Sequence, residues 1–66
     1  MIRTEDGVTV NPGDIVFNYY DRKRGVIAGP PDSSGWFDVD QDDGSRAYLN
    51  GERICSVRYA TARGWL

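Results

Sequence analysis

The turn signal Asp42-Asp43-Gly44 limits what this chain can fold into more than any other feature. It separates two stretches, residues 36–41 and 45–49, in which apolar and polar side chains alternate as they do along half-buried strands. A three-residue loop with Gly44 in the left-handed conformation is a common hairpin connection. Such a loop predicts the pairs Asp40 with Arg46, Val39 with Ala47, Asp38 with Tyr48, and Phe37 with Leu49.

This pairing sorts the side chains of the hairpin onto two faces. The apolar face carries Phe37, Val39, Ala47 and Leu49. The polar face carries Trp36, Asp38, Asp40, Arg46 and Tyr48. A two-residue loop would mix the two sets, because a shift of one residue turns every side chain to the opposite face. The three-residue loop is therefore predicted, with its apolar face in the core.

Other segments supply further short strands. Residues 2–4 and 8–10 flank a turn, and residues 14–20 form a longer strand rich in β-branched and aromatic side chains. We predict that Ile15, Phe17 and Tyr19 face the core from that strand. Residues 26–28 form another strand. Asn50-Gly51 predicts either a second tight hairpin or a single 3₁₀ turn, and after either one Ile54 returns to the core.

These segments together predict an all-β fold, a small five-stranded antiparallel barrel with a short N-terminal lead-in and a C-terminal tail. Residues 1–66 are expected to form one domain, with a core over about residues 8–58. The tail, residues 59–66, is shorter than a full-length helix. Its Tyr59, Trp65 and Leu66 either pack against the open end of the barrel or form an exposed apolar strip.

The composition narrows the classes of function. A chain of 66 residues has room for one small core and none for a deep cleft, so we do not expect an enzyme. The chain has no histidine, the commonest general base and metal ligand, and we expect no cofactor. The single cysteine, Cys55, forms no intramolecular disulfide and is expected in or near the core. No apolar run is long enough to span a membrane, and no signal peptide is recognisable. A cytoplasmic protein without membrane contact is therefore expected.

The acidic stretch 38–44 has some of the spacing of a calcium loop, with carboxylates at alternate positions. Two departures argue against that function. Glycine comes one place late, and Leu49 stands where the bidentate glutamate belongs. We therefore predict no metal site and interpret these carboxylates as the solvated side of a strand.

The order of short motifs resembles a known family. Gly13-Asp14-Ile15-Val16 opens a strand, Arg24-Gly25-Val26-Ile27 follows a loop, and the stretch 36–57 closes the set through Asp43-Gly44, Leu49 and Ile54-Cys55-Ser56-Val57. This order resembles the Tudor/KOW type of Src-homology-3-like barrel over about residues 12–57. The chain is also similar to small proteins of bacteria and their phages, and this similarity is found in residues 17–21, 35–37 and 49–51.

The resemblance implies binding rather than catalysis. Tudor-type barrels bind methylated side chains in aromatic cages, and KOW-type barrels bind RNA or ribosomal and polymerase proteins. The aromatic residues available for a cage or another binding surface are Tyr19, Tyr20, Trp36 and Tyr48. The alternative is that these rings cap the core of the barrel.

We therefore predict a non-enzymatic protein-interaction module that uses Tyr19, Tyr20, Trp36 and Tyr48. The net charge of −2 and the isoelectric point of about 4.8 favour an adaptor or inhibitor of a basic or nucleic-acid-associated protein. One alternative is weak RNA or DNA binding through Arg22, Lys23, Arg24 and Arg46, although the acidic composition disfavours it. The other is a structural subunit that forms homo-oligomers through the tail.

Overall fold

The protein is built around one curled antiparallel sheet. A computed structural model describes residues 2–66; Met1, the first residue of the predicted domain, lies outside them. The elements are β1 (Ile2–Arg3), β2 (Thr9–Val10), β3 (Ile15–Asn18), β4 (Lys23–Ile27), β5 (Phe37–Gln41), β6 (Arg46–Leu49), the 3₁₀ turn Gly51–Arg53, β7 (Ile54–Cys55) and α1 (Val57–Ala62). The sheet order is β6-β5-β4-β3-β7, and β1 pairs separately with β2. The predicted all-β fold with five antiparallel strands is confirmed, as a half-barrel compatible with a Src-homology-3-like barrel.

The hairpin of β5 and β6 has the predicted register. Phe37 pairs with Leu49, Asp38 with Tyr48, Val39 with Ala47, and Asp40 with Arg46. Gly44 has a φ of 87°, the left-handed conformation that the three-residue loop requires. The predicted apolar face lies in the core: Phe37, Val39 and Leu49 are buried, and Ala47 packs against them.

The main core lies inside the curl of the sheet. Its buried members are Ile2, Val10, Val16, Ile27, Phe37, Val39, Leu49 and Ile54. Asn50-Gly51 begins the 3₁₀ turn, one of the two predicted alternatives, and Ile54 returns to the core as expected. The lead-in also contributes, because Ile2 and Val10 pair across the β1–β2 hairpin and are both buried.

The predicted inward face of β3 is wrong at its first residue. Ile15 is 57% exposed, whereas its neighbours Val16 and Phe17 are both completely buried. Val16 belongs to the main core, and Phe17 packs on the other face with Cys55 and Ala60. Both faces of β3 are therefore covered at its centre, which removes the period-two contrast that a half-buried strand would show.

The tail forms the helix α1, which we did not predict. Six residues are too few for a helix to be stable by itself. Ser56 caps its N-terminus: the Ser56 hydroxyl accepts from the Tyr59 backbone N–H at 3.1 Å and donates to Asp6 at 2.6 Å. Burial of Ala60 anchors the other side. Within the described chain, no helix has the length and apolar character needed to cross a membrane.

Asp6 joins the β1–β2 hairpin to this helix. Its carboxylate accepts from the Thr4 hydroxyl at 2.6 Å and from the Ser56 backbone N–H at 2.9 Å, besides the Ser56 hydroxyl. Partial burial opposes ionisation of Asp6, but these hydrogen bonds outweigh it and lower the pKa of the carboxyl. The link is therefore made by the ionised form and weakens as the pH falls through that lowered pKa.

Two glycines allow the close approaches that shape the sheet. A Cβ on Gly25 would stand 2.8 Å from the Asp40 carbonyl oxygen and 2.7 Å from a methyl group of Val39. A Cβ on Gly51 would overlap the backbone carbonyl of Arg3. Gly25 thus lets β5 fold closely over β4, and Gly51 lets the 3₁₀ turn lie against β1.

We predict that Gly25→Ala lowers the free energy of unfolding by about 1–3 kcal/mol, because backbone atoms must move to admit the methyl group. Urea denaturation measures the change. Gly29→Ala is the matched control, since a Cβ at Gly29 meets nothing within 4 Å. Equal stability of the two variants would contradict the close approach at Gly25.

Candidate functional site

The four predicted aromatic residues lie along one continuous surface, joined by an arginine. The rings of Trp36 and Tyr48 stack with their centroids 5.5 Å apart. The guanidinium carbon of Arg53 lies 5.1 Å from the Trp36 ring and 5.0 Å from the Tyr20 ring. Tyr20 in turn contacts Tyr19, with 5.0 Å between centroids. These distances fall in the range of favourable aromatic and cation–π contacts.

The surface continues from Tyr19 to the end of the chain. The centroid of the Trp65 ring lies 6.0 Å from that of Tyr19. The guanidinium groups of Arg22 and Arg63 lie over Trp65 at 5.7 and 5.5 Å. Trp65 also makes an edge contact with Tyr59, at 5.9 Å. We call this whole set the aromatic–arginine surface; it comprises Tyr19, Tyr20, Trp36, Tyr48, Tyr59 and Trp65 with Arg22, Arg53 and Arg63.

Asp32 holds the Trp36–Tyr48 end of the surface in place. One oxygen of its carboxylate accepts from the Ser34 backbone N–H at 2.9 Å and from the Trp36 backbone N–H at 3.1 Å. The other accepts from the Tyr48 hydroxyl. The hydrogen bond from Tyr48 lowers the pKa of Asp32, and the same bond raises the pKa of Tyr48. A loop carboxylate thus holds the backbone of Trp36 and the hydroxyl group of Tyr48.

Two further contacts fix the Tyr19–Tyr20 end. The Tyr19 hydroxyl donates to the Glu52 carbonyl in the 3₁₀ turn, next to Arg53. The buried Asn18 side chain accepts from the backbone N–H of Tyr20 at 3.0 Å and donates to Gln41 at 2.8 Å. Tyr19 is half-buried and acts mainly as a positioning residue, whereas Tyr20 and Tyr48 are 61% and 56% exposed.

Arg22 stands in a strained backbone conformation at this end of the surface. Its φ of 59° is the only positive value at a non-glycine position within residues 2–66. A side chain in the left-handed region costs roughly 1–2 kcal/mol relative to the right-handed one. Such strain concentrates at functional sites, which makes the β3–β4 loop a candidate for binding.

The cations of the nucleic-acid alternative are mostly ion-paired. Lys23 lies 2.7 Å from Asp43, and Arg24 lies 3.0 Å from Asp42. Arg46 lies 2.8 Å from Asp40 and 3.7 Å from Asp38. Lys23, as the main cause, lowers the pKa of Asp43. Arg22 differs from the other three cations of that predicted set, because it contacts Trp65 and pairs with no carboxylate within residues 2–66.

Lys23 and Arg24 line an open groove between the β3–β4 loop and the helix. The groove has a volume of about 560 Å³ and is also bordered by Arg22, Asp42, Asp43, Val57, Thr61 and Leu66. Lys23 and Arg24 face Asp43 and Asp42, the carboxylates with which they pair. Within residues 2–66, no cluster of three or more side chains is arranged to hold a metal ion.

Cys55 lies beneath this part of the molecule. The thiol belongs to the second cluster with Phe17 and Ala60, and burial raises its pKa to about 11. It is therefore a packing residue that stays protonated at neutral pH.

Sequence reasoning missed Arg53 and Trp65 as members of the surface. Trp65 packs on Phe17 at 6.2 Å and on Tyr19, on the face of β3 opposite the main core, whereas Tyr59 and Leu66 of the tail are exposed. Arg53 follows Asn50-Gly51, and reading those residues as a 3₁₀ turn between two edge strands would have brought it near Trp36. The Tyr20 contact depends on how closely the curled sheet brings the 3₁₀ turn to the β3–β4 loop, which the residue pattern alone does not determine.

Arg53 of the chain itself supplies the cation that contacts the rings of both Tyr20 and Trp36.

Comparisons of the chain with models of known protein families, with curated proteins and with solved structures find no significant match. The geometry of the aromatic–arginine surface is therefore the basis for the functional proposal.

We predict that Asp32→Ala lowers the pKa of Tyr48 toward its ordinary value of 10.0, because the variant loses both the acceptor and the negative charge. The bond stabilises the fold between the ordinary pKa values of the two groups, 3.8 and 10.0. It is lost as the pH falls through the lowered pKa of Asp32 or rises through the raised pKa of Tyr48.

Titration of the tyrosine ring signals by NMR measures this shift. Tyr48→Phe is the control that identifies the Tyr48 signal, and the Tyr19 signal serves as an internal reference. An unchanged pKa of Tyr48 in Asp32→Ala would contradict the hydrogen bond.

Proposed function

We propose that this protein is a non-enzymatic protein-interaction module that binds its partner through the aromatic–arginine surface. The observation that carries the proposal is Arg53 held between the rings of Tyr20 and Trp36, with Tyr48 stacked beyond. Trp, Tyr and Arg are the side chains most enriched at the energetic centres of protein interfaces. Here they form one contiguous set on a fixed scaffold, so little conformational entropy is lost on binding.

The molecule is small enough that one partner would cover a large part of its surface. A standard interface buries about 800 Å² on each partner, which is about a fifth of the 4074 Å² of accessible surface. The aromatic–arginine surface would form the centre of such an interface. The neighbouring ion pairs of β5 and β6 would form part of its polar rim.

We also propose that the fold is related to the Tudor/KOW type of barrel, on the basis of the curled five-stranded sheet and the motifs noted above. In Tudor-type barrels the cage receives a methylated cation from the partner. Because Arg53 occupies that position here, we propose that the arginine itself contacts the partner. The basic or nucleic-acid-associated partner predicted from the net charge remains a prediction.

We predict that Tyr20→Ala and Trp36→Ala each abolish partner retention when the immobilised protein is incubated with a lysate of its source cells. Each substitution removes one ring from Arg53, and Trp36→Ala also removes the stacking partner of Tyr48. Mass spectrometry of the retained proteins measures the effect.

Ile15→Thr is the matched control, because Ile15 is an exposed apolar side chain on β3 outside the aromatic–arginine surface. It is expected to retain the same proteins as the unmodified chain. Retention that survives both aromatic substitutions, or that is lost equally in Ile15→Thr, would contradict the proposed function.

A further inference from the structure

We infer that the aromatic–arginine surface binds an acidic protein segment, whose carboxylates pair with Arg53, Arg22 and Arg63. This inference rests on the proposed function and names the class of its partner. It arises from the bonding state of the arginines, the distribution of charge over the molecule, and the way in which the rings are covered.

The guanidinium groups of these arginines lie over aromatic rings, and within residues 2–66 they make no side-chain hydrogen bond. In the same part of the chain, none of the three lies within 4.0 Å of a carboxylate. A guanidinium that lies over a ring uses its flat face and keeps its N–H edge for bonding. Arginine binds planar carboxylates through that edge with two parallel hydrogen bonds. The N–H groups of the three arginines therefore remain available for bonding to a partner.

The charge of this surface is opposite to that of the rest of the molecule. The chain has ten acidic and eight basic side chains in all. With Arg22, Arg53, Arg63 and Asp32 assigned to the aromatic–arginine surface, five basic side chains remain against nine acidic ones. Lys23, Arg24 and Arg46 are further neutralised by their carboxylate partners. A partner that is locally acidic is attracted to this surface and repelled elsewhere, which fixes its position.

The covering of the rings favours a protein segment over a single-stranded nucleic acid. Nucleic acids of that kind bind by stacking bases on free aromatic faces beside cations that follow the phosphates. Here Arg53 lies over Tyr20 and Trp36, and Arg22 and Arg63 lie over Trp65. A polyanion would also run past Asp38 and Asp40 on the same side of the hairpin. A short acidic segment needs only the free guanidinium edges and the exposed flanks of Tyr20 and Tyr48.

The test is a fluorescence-anisotropy titration with three labelled probes: a peptide of alternating aspartate and leucine, the same peptide with asparagine in place of aspartate, and single-stranded oligothymidylate. We expect the aspartate peptide alone to bind, with an affinity that falls as salt is added. Arg53→Gln, and separately the double variant Arg22→Gln with Arg63→Gln, should each weaken binding about tenfold or more, as loss of a charge-assisted hydrogen bond requires.

Arg58→Gln is the matched control, because Arg58 is exposed, has no carboxylate partner within residues 2–66, and contacts no ring. It removes the same charge and should leave the affinity within about twofold, since an exposed charge that makes no direct pair contributes little in water and salt. Circular dichroism of every variant establishes that the fold is retained. If Arg53→Gln unfolds the chain, Arg53→Lys keeps the charge without the planar edge and should still weaken binding.

Any of three results would overturn the inference. The asparagine peptide could bind as tightly as the aspartate peptide, Arg58→Gln could lose as much affinity as Arg53→Gln, or oligothymidylate could bind more tightly than the aspartate peptide. The lysate experiment separates this failure from failure of the proposed function. If Tyr20→Ala abolishes retention while Arg53→Gln does not, the interaction surface stands and its partner is not acidic. If neither variant changes retention, the proposed function fails as well.

Discussion

The connection between the two edge strands is the constraint on which the rest of the structure depends. β6 and β7 lie at opposite edges of the sheet, and the 3₁₀ turn joins them with only Asn50 before it. So short a connection requires the sheet to curl until its edges approach each other. Gly25 and Gly51 permit that curl, because a side chain at either position would meet backbone atoms. The main core fills the interior thus formed.

The same connection creates the candidate site. It places Arg53 between Tyr20, which follows β3, and Trp36, which precedes β5. Tyr19 ties the β3–β4 loop to the turn through the Glu52 carbonyl, and Asp32 holds the opposite end. An arginine stacked on two rings gains roughly 0.5–1 kcal/mol from each exposed contact. The gain is modest, so the arrangement depends mainly on the scaffold and is available for a partner to use.

Sequence reasoning predicted the part of the fold that local rules determine. The β5–β6 register follows from strict alternation around a glycine that needs a positive φ, and both features are visible in the chain. The burial of Val16 in place of Ile15 could not be predicted, since α1 and Trp65 cover the other face of β3. The helix itself depends on Asp6, which lies fifty residues from Ser56 in sequence. At the site, the four aromatic residues could be named from the sequence, although only Tyr48 lies on a strand, but the contact of Arg53 with Tyr20 depends on the extent of the curl.

The position of Arg53 is the central claim, and NMR measures it most directly. A side chain held over aromatic rings experiences their ring currents, so the δ-methylene protons of Arg53 should resonate well upfield of those of Arg58, whose guanidinium group lies over no ring within residues 2–66. Removal of one ring in Tyr20→Ala should move the Arg53 signals part of the way back. If the δ-methylene protons of Arg53 and Arg58 have the same chemical shift in the unmodified protein, Arg53 does not lie over the two rings.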